Sequence, residues 1–307
     1  MCLGILQEAK ETVIMVLWYF AVRGKTQKRF YCMVRFKNDN LDLTAIADSG
    51  QCFRWKETED GYRVIAFGKV LYISSDPETK EICLDCSEQE FEEIWREYLD
   101  IDTDYAEIIG RIPETDLYLK AAAECGCGIR ILRQDPWETL ITFIISQRKN
   151  IPAIKQAVEK ICAAAGQPIG CCKGEKLYAF PSPAELASLS LEDLTKCSLG
   201  YRAKYIQATA DAFANGGAST EALAAMSDDD LFNALCSFYG VGKKVAFCTM
   251  LFGFHRMDSF PMDVWMNRVA EKRYSGEIPM EHYSPWGGVM QQYMFAYERK
   301  LAMDGEE

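Results

Sequence analysis

Lys244 and Cys248 lie four residues apart in the run Phe238-Tyr-Gly-Val-Gly-Lys-Lys-Val-Ala-Phe-Cys248, and Asp263 follows in Phe260-Pro-Met-Asp-Val-Trp265. A lysine amine that sheds its proton can attack an electrophilic carbon and hold the product as an imine, which water cannot do. An ammonium beside Lys243 and at the positive end of a helix is disfavoured, and this favours the neutral, nucleophilic amine at Lys244. Asp263 supplies a carboxylate that could face the lysine and stabilise positive charge developing next to it. Gly240, Val241 and Gly242 precede the lysine, and two glycines around one apolar residue permit a tight turn with φ > 0. Such a turn aims the N–H groups of Gly242 to Lys244 outward at a helix N-terminus, where an anion such as a DNA phosphate can sit.

These residues need particular elements to hold them. Ser227 with three aspartates behind it is a helix start, and Leu231, Leu235 and Phe238 recur at helical spacing. Lys243 to Phe254 resumes helix-compatible composition, so residues 228–254 are predicted to form helix, hairpin and helix. Asp263 falls in the first turn of the next predicted helix. A Gly-x-Gly alone is also what an ordinary interhelical turn looks like.

Gly-Val-Gly-x-Lys-Val-Ala-x-Cys, followed about twenty residues later by Pro-x-Asp-Val, resembles the helix-hairpin-helix DNA glycosylases, and within them the 8-oxoguanine DNA glycosylase family, as a bacterial-type member. The resemblance implies a bifunctional glycosylase and lyase with Lys244 as nucleophile and Asp263 stabilising the cationic sugar. No metal or organic cofactor is implied. Asp48-Ser-Gly-Gln-Cys-Phe-Arg-Trp55 is similar to the family's base-reading segment, in which a glycine carbonyl accepts from N7–H; Gly50 occupies that position. Phe295 and Cys248 match the residues that cover the two faces of the flipped base, and Gln291 matches the reader of its Watson–Crick edge. Gly200-Tyr-Arg-Ala-Lys-Tyr205 resembles the segment that wedges into the duplex, with Tyr201 filling the gap and Arg202 supporting it. Arg148, Lys149 and Asn150, in a polar loop between helices, are candidates for the DNA backbone and the hole that the base leaves.

Four positions depart from the family. Arg148 stands where animal members carry asparagine, and Ala153 where they carry an arginine that reads the opposite cytosine. A short alanine cannot replace a bidentate guanidinium. Tyr239 stands where a proline commonly precedes the hairpin glycine, and Trp265 where animal members have a histidine on phosphate.

The expected fold class is α+β, an antiparallel sheet domain followed by a mainly helical domain. Cys52–Trp55, Tyr62–Phe67, Val70–Ile73 and Ile82–Leu84 are short β-rich runs punctuated by Asp60-Gly61 and Gly68. Ser87-Glu-Gln-Glu90 is predicted to be a capping box opening a helix through Tyr98. Asp135 and Pro136 are predicted as N-cap and first residue of a helix through Ile145. The last helix is predicted over 285–301, with Gln291 and Phe295 four apart on one face. Residues 33–115 are assigned to the sheet domain and 116–307 to the helical one.

The chain has 307 residues, 49% of them hydrophobic, which is enough for two or three subdomains. Its net charge of −11 argues against coating long DNA nonspecifically, yet residues 240–274 hold six Lys or Arg against three Asp or Glu. Thirteen scattered cysteines suit a reducing cytoplasm better than a disulfide scaffold, and none follows Cys248 to build an iron–sulfur cluster. The apolar run Thr12–Val22 is too short to span a bilayer. Residues 1–32 are expected to be an extension upstream of a natural start at Met33. The partner is duplex DNA, not a membrane, and the expected state is a monomer at the bacterial nucleoid. Two alternatives remain: a monofunctional glycosylase for alkylated purines, against which Lys244 argues, and a non-enzymatic DNA-binding module.

Overall fold

Alternating apolar residues in short β-branched runs build the sheet. The structure, a computed structural model, describes residues 33–305; the expectations for residues 1–32 lie outside them. Strands β1 (Val34–Lys37), β2 (Trp55–Thr58), β3 (Gly61–Ala66), β4 (Lys69–Ser75) and β5 (Glu81–Leu84) form one antiparallel sheet in the order β1-β5-β4-β3-β2. Val64 pairs with Leu71, and Ile73 with Leu84, so their side chains fall on one face. That face buries Val64, Leu71, Ile73 and Leu84 with Trp95 and Tyr98 from the following helical stretch.

The α+β class holds, with local differences from the sequence reading. Leu43–Asp48 is a helix inside the strand-rich region, capped by Asp42, whose carboxylate accepts from the Thr44 and Ala45 amides. Of Cys52–Trp55 only Trp55 is in a strand; the other three residues form a connection whose side chains are all buried. Within the helical half, β6 (Pro168–Cys172) and β7 (Glu175–Tyr178) form a hairpin that the composition did not suggest. The helix at Ser87 begins as expected, with Ser87 Oγ accepting from the Glu90 amide. Glu90 does not complete the box. Its carboxylate accepts from Trp95 Nε1 at 3.0 Å, and residues 91–95 widen into a π-helical turn.

The second core is helical. It begins before residue 116, because Tyr105, Ile108 and Ile112 already pack into it, as does Phe53. Helices Leu117–Cys125, Pro136–Ser146, Ile151–Ala165, Arg202–Ala214, Asp228–Ser237, Lys243–Phe252, Val264–Arg273 and Gly287–Asp304 supply most of its apolar surface. Among the described residues no helix is long and apolar enough to cross a membrane.

Arg130 ties the two cores together. Its guanidinium donates to the carbonyls of Asn40, Leu99, Asp100, Ile101 and Thr103 and lies 4.2 Å from the centre of the Tyr105 ring. The Arg130 carbonyl accepts from Gln51 Nε2 at 2.9 Å, and Gln51 Oε1 accepts from the Leu132 amide at 2.8 Å. Every polar group of the Gln51 side chain is thereby paired, and the loop carrying Gly50 is fixed against the helical core.

Beside this seam Arg54 pairs with Glu159 at 2.9 Å, and Glu138 lies close by. Burial pushes the Glu138 carboxyl up to about 7, with Arg54 pulling it down and Asp135 and Glu159 adding to the rise. A carboxyl raised on folding favours the native state at low pH and loses that advantage as pH rises through the folded value. Glu138→Gln is therefore expected to leave the melting temperature near pH 4 almost unchanged and to raise stability at pH 8 by about 1–3 kcal/mol. Thermal melts at the two pH values check this; equal effects at both would exclude ionisation as the cause.

Candidate active site

The helix-hairpin-helix forms as the sequence indicates. Helix Asp228–Ser237, capped by Ser227, ends at Phe238; Gly240 turns with φ +83°; and helix Lys243–Phe252 starts after Gly242. Only the first glycine needs its conformational freedom, since Gly242 has φ −101°. Gly240 has a second role. A Cβ there would lie 2.3 Å from ring atoms of Tyr205, so the hairpin backbone rests directly on that ring. Gly240→Ala is expected to cost about 2–4 kcal/mol, from steric overlap and the left-handed φ together. Replacing Tyr205 by alanine as well should recover part of the loss, which a double-mutant cycle on unfolding free energy measures.

No side chain caps helix Lys243–Phe252, unlike the Ser227-capped helix before it and the Asp263-capped helix after it. Its first N–H groups are left for an external acceptor, and the helix dipole favours a negative one.

Lys244 and Cys248 share a face one turn apart, close enough for the lysine to act electrostatically on the thiol. Its ammonium lies 5.0 Å from the centre of the Phe143 ring, which stacks on Phe252 and meets Phe53 edge-on. Burial pushes the Cys248 thiol up, with Lys244 opposing the shift and Asp263 adding to it. Both charged groups therefore act at this sulfur. At neutral pH it is a thiol, a soft apolar surface rather than a rival nucleophile. Asp263 caps helix Val264–Arg273 through Oδ1, which accepts from the Trp265 and Met266 amides at 2.9 and 3.0 Å. Among the described residues Oδ2 has no hydrogen-bond partner, so the carboxylate is oriented by one oxygen and presents the other.

Gly50 and Phe295 come from opposite ends of the chain and meet. Gly50 has φ +77°, and a Cβ built on it would lie 3.7 Å from the Phe295 ring and 3.8 Å from Ile151. Its carbonyl accepts no hydrogen bond among the described residues. Phe295 lies on helix Gly287–Asp304 one turn after Gln291, which is buried; the Trp265 ring meets Phe295 edge-on at 6.4 Å. Ile151 is a residue that the sequence reading passed over. Its position directly after the helix cap Asn150 was its only sequence signal.

A separate face gathers the remaining candidates. Arg148 is exposed and adopts φ +52°, and Asn150 caps helix Ile151–Ala165 by accepting from the Ala153 amide at 3.0 Å. Lys149 donates to the Ser198 carbonyl and Lys160 to the Ser198 hydroxyl, each at 2.7 Å. Partial burial and the cations Arg202 and Lys160 push the Lys149 ammonium down, and a bound phosphate would oppose that push. Tyr201 is 50% exposed, whereas Arg202 is buried. The Arg202 guanidinium donates to the carbonyls of Gln147 and Leu199 and lies 4.4 Å from the centre of the Tyr201 ring. Arg202 thus supports the exposed tyrosine, with its donors engaged by backbone carbonyls. Gln147 Nε2 in turn donates to the Gly240 carbonyl at 3.1 Å, and the Tyr239 ring meets Tyr205 edge-on at 4.7 Å. Tyr239 packs on Tyr205 and the hairpin keeps its turn without a proline.

A surface cavity of about 420 Å³ lies between Pro113, Asp116, Tyr118, Arg273 and Tyr283 and shares no residue with these groups. Its Asp116 is engaged by the Tyr274 and Tyr283 hydroxyls and the Leu119 amide. The chemistry points to Lys244.

Residues 33–140 match the family model described as 8-oxoguanine DNA glycosylase, N-terminal domain, and residues 141–279 match that of the HhH-GPD superfamily base excision DNA repair proteins. An N-glycosylase/DNA lyase of Saccharomyces cerevisiae is 32% identical over 268 residues, covering 79% of this chain and 70% of the relative. One of Arabidopsis thaliana is 30% identical, covering 77% of this chain and 67% of the relative. The 8-oxoguanine glycosylase/lyase of Clostridium acetobutylicum, solved with duplex DNA containing cytosine opposite 8-oxoguanine, superposes with a TM-score of 0.82 at 34% identity. That superposition covers 91% of this chain and 99% of the solved one.

Proposed function

The chain belongs to the 8-oxoguanine DNA glycosylase family, and on that premise we propose that it flips 8-oxoguanine out of duplex DNA, with Lys244 displacing the base. It is a bifunctional DNA glycosylase and lyase of base excision repair. The observation that carries the site assignment is the convergence of Lys244, Cys248 and Asp263 beside an uncapped helix start.

The proposed course is as follows. The Lys244 amine, having given up its proton, attacks C1′ and the C1′–N9 bond breaks, with the electron pair leaving on the base. Asp263 Oδ2 stabilises the positive charge that builds on the sugar during this step. Loss of an amine proton and ring opening give the imine between Lys244 and C1′. Removal of a C2′ proton then expels the 3′ phosphate and nicks the strand. Gly50 supplies an acceptor for N7–H, which 8-oxoguanine has and guanine lacks; guanine would set two lone pairs facing. Phe295 and Cys248 cover the two faces of the base, and Gln291 reads its Watson–Crick edge. Tyr201 fills the space that the base vacates. The amides from Gly242 to Lys244 grip phosphate, with Gly240 and Val241 forming the turn that presents them and Lys149 and Arg148 adding charge. The reading carries a monomer acting on nucleoid DNA in a bacterial cytoplasm.

Incubation with duplexes carrying one 8-oxoguanine opposite each of the four bases tests this. The expected products are the free base and a strand nicked 3′ to the lesion, with none from unmodified guanine. Ala153 has no donor and the Arg202 guanidinium is engaged by carbonyls, so the rates opposite the four bases should fall within about tenfold of one another. Binding without base release would overturn the reading.

A further inference from the structure

The Gly50 acceptor separates oxidised from normal purines, but it cannot separate oxidised guanine from oxidised adenine, because both carry N7–H. The distinguishing chemistry lies on the Watson–Crick edge. Guanine presents an acceptor at O6 beside a donor at N1, and adenine presents a donor at N6 beside an acceptor at N1. A glutamine amide can pair with either edge by turning over, since its oxygen and nitrogen exchange places at almost no cost in shape. Gln291 therefore selects guanine only if something fixes which way round its amide lies.

We infer that Gln292 is that device: a specificity-determining residue whose amide nitrogen holds the Gln291 oxygen and so sets the polarity of the base-reading amide. Gln292 Nε2 donates to Gln291 Oε1 at 2.9 Å, and both side chains are buried, 4% and 3% exposed. With its oxygen held, Gln291 keeps Nε2 for O6 and a second lone pair on Oε1 for N1–H, the complement of guanine. Turning Gln291 over would set its NH₂ against the NH₂ of Gln292. Turning both would restore that pair but place the Gln292 NH₂ where its Oε1 now lies, and this buried oxygen has no hydrogen-bond partner among the described residues. One buried unpaired carbonyl oxygen would be exchanged for a further buried unpaired N–H group, the costlier arrangement. The orphaned oxygen thus makes the lock directional.

This inference rests on Gln291 reading the base edge, and the test keeps the two apart. Single-turnover excision is measured on duplexes with 8-oxoguanine or 8-oxoadenine for wild type, Gln292→Met and Gln291→Met. The expected result is a preference for 8-oxoguanine that falls about tenfold in Gln292→Met, mainly through faster removal of 8-oxoadenine. A purely structural role would slow both substrates together and leave the ratio unchanged. Methionine keeps the volume and removes the orphaned acceptor, so the melting temperature should not fall; Gln292→Leu serves if methionine does not fold. An unchanged ratio in Gln292→Met with a lowered ratio in Gln291→Met overturns the lock alone. An unchanged ratio in both overturns the base-edge reading and the lock with it.

Discussion

Lys244→Gln is expected to lower the rate of 8-oxoguanine release by about 10³-fold or more and to abolish covalent trapping by borohydride. Glutamine keeps a polar side chain near the thiol, one atom shorter than lysine, and removes the nucleophile. Borohydride reduces an imine to a stable amine, so wild type incubated with lesion DNA should give a protein–DNA adduct of fixed mass, and the variant none. Affinity should change much less. The hairpin amides, Lys149 and Arg148 remain, and loss of one positive charge near phosphate costs only a modest factor at moderate salt. A variant that releases base at near wild-type rate while losing the adduct would point to water as the nucleophile. A variant that still forms the adduct would move the nucleophile to another amine.

Lys243 is the internal control for that experiment. It neighbours Lys244 but starts the helix in a different direction, and only Lys244 lies one turn from Cys248 and over the Phe143 ring. Lys243→Gln should weaken binding without touching trapping. Salt dependence separates the two lysines as well, since a phosphate contact loses value with ionic strength and a covalent step does not.

Local signals account for much of what the sequence made legible. The Asp135 and Pro136 helix start, the Ser227 cap and the four-residue spacing of Lys244 to Cys248 are set by short-range hydrogen bonding and helical geometry, and each recurs in the fold. The meeting of Gly50 with Phe295 was accessible only through family likeness, since 245 positions separate them and no local rule links a loop glycine to a distant helix. Arg202 marks the limit. The resemblance gave it a role supporting Tyr201, but not the means: the Gln147 and Leu199 carbonyls take its donors, and carbonyl positions leave no trace in residue identity. The same holds for the Leu43–Asp48 helix, where three apolar residues at spacing compatible with a helix sat inside a strand-rich stretch. The β6–β7 hairpin likewise joins short runs without a clear alternation.

Asp263 caps its helix and, in the proposed course, also stabilises the sugar cation; two substitutions separate the two roles. Asp263→Asn retains an oxygen for the Trp265 and Met266 amides, because asparagine caps helices about as well as aspartate. It should keep nearly all the stability while lowering the single-turnover excision rate by about 10²–10³-fold, through loss of the charge that stabilises the developing cation. Asp263→Ala loses the cap as well and is expected to cost a further ~1 kcal/mol of unfolding free energy. The rate difference between the two variants then reports how much the cap contributes to positioning, and the melting difference reports its contribution to the fold. If Asp263→Asn retained full activity, the carboxylate would be a helix cap only. If both variants lost activity in proportion to stability, the effect would be displacement of the helix Val264–Arg273 rather than loss of charge. The expected pattern, a stable asparagine variant with slow chemistry, follows from one oxygen committed to the helix and a second with no hydrogen-bond partner among the described residues, which the proposed course turns to the sugar.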